Sequence, residues 1–536
     1  MAYHYPSEMK RLLEQHPRYQ EKLYCRGFLL TDQGEVDTAG YPFYGHWKKE
    51  ELAAGFCLYI HKDTTAYIHT AGNRQFFLVG HAYDPYRMLT DEAEILHGLA
   101  EALEQGEAAF WEAESSLTGI FCLGYLDEDR LVYTTDCAGM QLVYHGVVRD
   151  SLYLTSHSKL AADLCGLEQD PYVEKLVAHR FYRYFGTWLP GDCSPYRELK
   201  RLQSNHAGSY CVAARQISLK RYYPTRAIRQ TATEEEYNQL IRELGDTMSR
   251  SMELIARKWP DKKIAISITG GQDSKTTLAC ANGHYDKFDY FSYISNDAEA
   301  VDAYAARDIC GRLELPHSIY EIPRDDSAYP DLEAFRKIME CNAGCIGENN
   351  ANDVRKRLYF SENRAFDIEV KSWVNEIGRA RFYKRYNKKK FPHRLTAAYC
   401  RCLYKIMFSP GLIHATNRIF REYLARYYAS DVFDRIPWPD LLYWEFIWGG
   451  GEGLFLTAEH RVSYEITIPF NNRRYLETML RAPLQKRIDD RVPKDIVASR
   501  NPKLASCGID VKDVGYTDFR TVLERGYLEI FSKLGF

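Results

Sequence analysis

No apolar run in the 536 residues reaches the roughly 18 that a transmembrane helix needs, so a spanning segment is not expected. Residues 1–20, MAYHYPSEMKRLLEQHPRYQ, are polar and lack the apolar core of a signal peptide, and the expectation is a cytoplasmic chain. Neither sign of charge dominates. The formal net charge is −3, which gives no electrostatic reason to expect a nucleic-acid or membrane partner. The G-x-x-x-x-G-K-[ST] spacing of a Walker A loop is absent. So is the doubled C-x₂-C of a zinc site: the 14 cysteines are scattered, mostly inside apolar runs such as GIFCLGYL, and read as buried reduced thiols. The close pairs Cys341/Cys345 and Cys400/Cys402 do not have zinc spacing. Internal repeats and low-complexity tracts are lacking, and the short basic run NKKKF at 387–391 reads as a solvated loop.

What is present is an ordinary globular composition, 45% hydrophobic and 27% charged, long enough for two large domains or three smaller ones. The periodicity changes along it. Residues 20–224 hold short strand-like runs such as YCRGFLLT, GFCLYIHK, QFFLVGHAY and SLYLTSHS, with one helical stretch, DEAEILHGLAEALEQGEAAFWEAE, between them. This pattern predicts an α+β domain of packed antiparallel sheets over 1–224. The part from 225 to 536 opens on a long helix. Thr233 and Glu236 form a capping box, and Tyr237, Leu240, Ile241, Leu244, Met248, Met252 and Ile255 make one apolar stripe. Strands at 263–268, FDYFSYI and HSIYEI then alternate with helices, which predicts a doubly wound parallel sheet; from about 331 the chain reads as largely helical.

The stretch AISITGGQDSKTTLA, residues 265–279, lies where the first of these strands meets its helix. Ligands of doubly wound sheets bind at that carboxyl end. A helix start exposes unpaired N–H groups and a positive dipole end, which suits phosphate. Gly270 and Gly271 permit positive φ and close backbone approach, and Ser274 can donate a hydrogen bond. Asp273 would repel phosphate unless a cation lies between, which makes it a candidate Mg²⁺ ligand. The same spacing also suits a plain strand-to-helix turn with an Asp or Ser cap.

At this point the sequence resembles the asparagine synthetase superfamily. The family's ATP-pyrophosphatase loop reads S-G-G-x-D-S, matched here by Thr269, Gly270, Gly271, Gln272, Asp273 and Ser274, and the resemblance makes these six the ATP-binding residues. LTGIFCLGYLDEDRLVYTTDCAGMQLVYHG and FGTWLPGDCSPYRELKRL resemble the family's amidotransferase-type N-terminal domain, and YEITIPFNNRRYLETMLRAPLQKR its E-x-R-x-P-F-L-D segment and following helix. The second metal segment, G-x-G-x-D-E, corresponds to EVKSWVNEIGRARFY. It offers Glu376 as a second Mg²⁺ ligand, with Glu369 in reserve and Asn375 where an aspartate is expected; a surface carboxylate paired to Arg379 is the other reading of Glu376. A C-terminal lysine motif corresponds to VPKDIVAS, so Lys494 is the resemblance's candidate for stabilising charge on the acyl side, against an exposed helix-start lysine.

Members that hydrolyse glutamine use a cysteine directly after Met1. Here that residue is Ala2, and Cys25 sits inside a strand-like run. Without a thiolate nucleophile there is no glutaminase chemistry, so the N-terminal domain resembles that of the glutaminase-deficient branch, which includes β-lactam synthetase and lasso-peptide cyclases. The resemblance implies a ligase that uses ATP and Mg²⁺ to adenylate a small-molecule or peptide carboxylate and pass the acyl group to an amine, alone, as a homo-oligomer or beside a biosynthetic partner. Tyr443, Glu445 and Glu465 are candidate bases by position only. A non-amine acceptor and a nucleotide-binding pseudoenzyme are the alternatives.

Overall fold

The computed structural model describes residues 5–184, 186–347, 349–429, 431–509 and 516–534. A helix over Pro6–Gln15 and a short 3₁₀ turn precede the first strand, Phe28–Thr31. That strand belongs to a six-stranded antiparallel sheet with Trp47–Glu51, Cys57–His61, Tyr144–Val148, Ser151–Thr155 and Lys200–Arg201. A second six-stranded antiparallel sheet contains Ala66–Ala71, Arg74–Tyr83, Thr118–Asp127, Arg130–Thr135, His206–Cys211 and Gln216–Arg221. Side chains alternate between the faces of a strand. Phe28 and Leu30, Leu58 and Ile60, and Phe77 and Val79 therefore share one core between the sheets, while Leu29, Tyr59, Phe76 and Leu78, which alternate with them, join the other.

Two readings of this half need correction. Cys25 lies before the first strand rather than in it, fully buried, because the chain turns there through positive φ at Tyr24 and Arg26. The stretch read as one helix is two, Glu92–Glu104 and Glu107–Glu114, broken at Gly106, whose φ of 121° an L side chain resists. Ala2 lies outside the described residues.

The helix α1 (Glu234–Lys258) opens as its sequence dictates. Thr233 accepts from the Glu236 N–H at 3.2 Å, Glu236 Oε2 accepts from the Ala232 N–H at 2.7 Å, and all seven stripe residues are buried. Next come β1 (Ile264–Ser267), α2 (Gln272–Cys280), β2 (Asp289–Ile294), α3 (Asp297–Arg312) and β3 (Ser318–Glu321). Two short strands, β4 (Ile368–Val370) and β5 (Glu465–Thr467), complete the sheet from within the stretch read as largely helical. All five run parallel in the order β3-β2-β1-β4-β5, a doubly wound arrangement that reverses beside β1. The C-terminal part around them is otherwise helical. Among the described residues no helix is long and apolar enough to cross a membrane.

The halves are joined by polar groups that neither could bury alone. Arg473 pairs with Glu114, Arg221 with Glu445 at 2.6 Å, and Arg461 donates to Gln141 at 2.8 Å. Asn471 accepts from the Ala138 N–H at 2.9 Å and donates to Asp136 at 2.9 Å. Buried polar groups are tolerated when so satisfied. None of the 14 cysteines forms a disulfide among the described residues, and the Cys341 and Cys345 Sγ atoms are 3.9 Å apart.

Candidate functional site

The carboxyl ends of β1, β2 and β4 open into a cavity of about 450 Å³. The loop 269–274 forms one wall. Neither Gly270 nor Gly271 takes a positive φ, so conformational freedom is not why they are there. A β-carbon on Gly271 would stand 3.3 Å from Thr269 Oγ1, tighter than ordinary contact. The turn is held from inside. The Gly271 N–H donates to Thr269 Oγ1 at 3.2 Å, the Thr269 and Ser274 hydroxyls are 2.9 Å apart, and the Gly270 N–H donates to Asp302 Oδ1 on α3 at 3.1 Å. Phosphate at these two N–H groups would replace internal bonds to a hydroxyl and a carboxylate. The first turn of α2, with Gln272, Asp273 and Ser274, carries the helix's positive end at the cavity wall.

Across the cavity lies the segment after β4. Asp273 Oδ1 accepts from Asn375 Nδ2 at 2.6 Å, and its other oxygen pairs with Arg379. Arg379 also binds Asp490 at 2.8 Å, and Lys384 binds Asp490 as well. Asn375, where an acid was expected, is thus a donor to Asp273 and accepts from Tyr475 OH at 3.3 Å. Glu376 is half-buried, with an Oε2 that is shut off from solvent and has no hydrogen-bond partner. Burial, and then the Asp273 charge, raise its pKa to about 8 against the pull of Arg379 and Arg381. Glu369 is fully buried on β4. Its Oε1 is 3.2 Å from Lys371 Nζ, and its Oε2 has no hydrogen-bond partner. Burial lowers the Lys371 pKa, opposed by Glu369, and its ammonium stands 4.7 Å from the Trp373 ring centroid.

The fold therefore brings Thr269, Gly271, Gln272, Asp273, Ser274, Glu369 and Glu376 around one cavity, and it adds Lys371, Arg379 and Arg381, which sequence reasoning missed as site residues. The available signal was positional. Lys371 directly follows β4, but a three-residue strand gives too little pattern to read. Lys494 is not among them. It is exposed on the helix Arg491–Arg500 and lines a neighbouring cavity with Lys275 and with Gln272, which also borders the loop cavity. Of the candidate bases, Glu445 is locked to Arg221 and Asn205, and Glu465 to Arg461 at the amino end of β5. Tyr443 lines an adjoining aromatic cavity of about 260 Å³ that shares Arg381 with the loop cavity. Glu452 stands in that second cavity, its pKa raised to about 7 by burial against Arg381 and Lys371.

No known family profile and no curated protein matches the chain in sequence. Solved structures with a loose likeness include the allosteric regulatory enzyme of purine biosynthesis, at 8% identity and TM-score 0.24 over 54% of this chain and 63% of that one, which is under two thirds of its length. Another is glutamine phosphoribosylpyrophosphate amidotransferase from B. subtilis complexed with ADP and GMP, at 8% identity and TM-score 0.22 over 69% and 74%. Superpositions this loose decide neither fold nor function.

Proposed function

We propose that the chain is an ATP-dependent, AMP-forming carbon–nitrogen ligase without glutamine hydrolysis of its own. One juxtaposition supports the reading. A helix N-terminus carrying Asp273 and Ser274 faces two acids with orphaned buried oxygens, Glu369 and Glu376, and the cations Lys371, Arg379 and Arg381, in a cavity of small-molecule size. In the proposed reaction a substrate carboxylate attacks the α-phosphorus of ATP and pyrophosphate leaves. An amine then attacks the acyl carbon, loses its proton, and AMP departs with the bonding electrons.

The chain's own groups have separable tasks. The first turn of α2 and Ser274 would hold the departing phosphates. Lys371 and Arg381 would balance their charge from the opposite wall. The adjoining aromatic cavity would seat the acyl donor or the amine. The residues also fit a divalent cation: Asp273 and Glu376 would hold Mg²⁺, since Glu376 Oε2 is a buried acceptor without a donor and lies in the field of Asp273. Bound there, Mg²⁺ would neutralise the phosphate oxygens during displacement.

One observation favours a second reading, a nucleotide-binding pseudoenzyme: Asp273 already has Arg379 and Asn375 as partners. The test is exchange of labelled pyrophosphate into ATP across a panel of carboxylic acids, followed by AMP release on addition of amines. Acid-dependent exchange supports the ligase. ATP binding with neither exchange nor AMP release favours the pseudoenzyme, and absence of ATP binding rejects both.

A further inference from the structure

A second cavity, of about 430 Å³, lies at the amino ends of the parallel strands, where the N-terminal half meets the sheet. Asp367 and Ile368 line it, whereas Glu369 and Lys371 line the loop cavity, so the two open at opposite ends of β4. Its lining is lopsided in charge. Lys22, Arg26, Lys62, Lys262, Arg364 and Arg461 stand against Asp63, Asp367 and Glu465. Two of the acids are already committed. Glu465 takes Arg461 at 3.0 Å and Arg26 at 3.3 Å, and Asp63 takes Lys62 at 3.1 Å. Glu21 nearby takes Lys62 at 3.1 Å and reaches Lys22 and Arg364 only at 3.8 Å, and Lys262 makes no ion pair among the described residues. The floor also carries an imidazole: His81 is 5% exposed, lines the cavity and packs its ring edge-on against Trp259 at 5.2 Å.

We propose that this cavity binds a compact multivalent oxyanion, a small molecule carrying phosphoryl or carboxylate groups, clamped between the two halves of the chain. Lys62, Lys262 and Arg364 would meet it from the exposed rim, and Arg26 and Arg461, held on Glu465, add positive charge at the floor. The local field agrees with this. Burial would raise Glu465 and Asp63, yet Arg461 and Arg26 hold the first below the ordinary carboxylate range, and Arg26, His61 and Lys62 hold the second there. Removing cations from the rim leaves the buried packing untouched, because Lys262 and Arg364 are exposed.

The test is isothermal titration calorimetry of the full chain with inorganic phosphate and, separately, citrate, at low and high salt. Wild type should bind at least one at millimolar concentration or tighter, more weakly as salt screens the site. The double variant K262A/R364A should bind about tenfold more weakly, while Lys389→Ala in the exposed loop at 387–391 should bind as wild type does. Preference for phosphate identifies the ligand as phosphoryl-bearing, and preference for citrate as a polycarboxylate. Absence of binding to both anions overturns the proposal. So does equal binding by K262A/R364A, or an equal loss in Lys389→Ala, which would make the binding a general attraction to exposed lysines. The outcome is independent of whether the loop cavity performs ligation.

Discussion

Replacing Arg473 with Met removes the cation that ties the parallel-sheet half to the N-terminal sheets. Arg473 is fully buried. Its guanidinium pairs with the equally buried Glu114, and it donates to Asn205 Oδ1 at 3.0 Å, the Thr135 carbonyl at 3.1 Å and the Asp136 carbonyl at 3.2 Å. Glu114 Oε2 has no hydrogen-bond partner to fall back on. Met fills much of the volume but leaves a carboxylate and several carbonyl oxygens unanswered in the interior. Breaking a buried pair in this way costs about 3–5 kcal/mol, a large fraction of the roughly 5–15 kcal/mol that holds a typical protein folded. Burial already raises the Glu114 pKa against Arg473, and without the arginine it rises further. The folded state of the variant then binds a proton that the unfolded state has released, so stability falls as pH rises from the ordinary glutamate range through the raised value. The deficit should therefore be larger at pH 8 than at pH 5. Thermal unfolding should show a drop of several degrees at pH 8, at roughly 2 °C per kcal/mol for a large chain. Partial recovery is expected at pH 5 and in R473M/E114Q, where no buried charge remains. A Tm within a degree of wild type at both pH values, or a deficit that grows on acidification, would refute the reasoning.

Asp273→Asn should fold, since Arg379 keeps Asp490, yet lose roughly a thousandfold in AMP release through the missing phosphate-side carboxylate; wild-type AMP production would make Asp273 a turn residue. Lys371→Met and Lys494→Ala separate two candidate cations. Turnover should fall about a hundredfold in the first, as for loss of a charge-stabilising donor, and stay within a few fold in the second, whose side chain lies outside the loop cavity; the reverse ranking would restore Lys494 to the acyl side. Purified protein incubated with glutamine should release no glutamate above background, and clear turnover would mean that a nucleophile other than a residue-2 cysteine serves the N-terminal domain.

Much of the fold was written locally. The Thr233/Glu236 box and the seven-residue stripe specify α1, because capping and 3.6-residue periodicity are properties of neighbours along the chain. The alternating runs specify the antiparallel strands for the same reason, and the two glycines after an apolar β-branched run mark the carboxyl end of β1. Tertiary structure decided what depends on partners far apart in sequence. The strands β4 and β5 have three residues each, too few for a pattern, and become strands only by pairing with β1 and with each other. The same pairing carries Lys371, Asn375 and Glu376 across from Asp273, and so turns Asn375 from a missing acid into a hydrogen-bond donor. Packing of distant segments also leaves Lys494 in a neighbouring cavity and commits Glu445 and Glu465 to Arg221 and Arg461. Charge, hydrogen bonding and burial act through space, so residue type alone could nominate these side chains but not assign them roles.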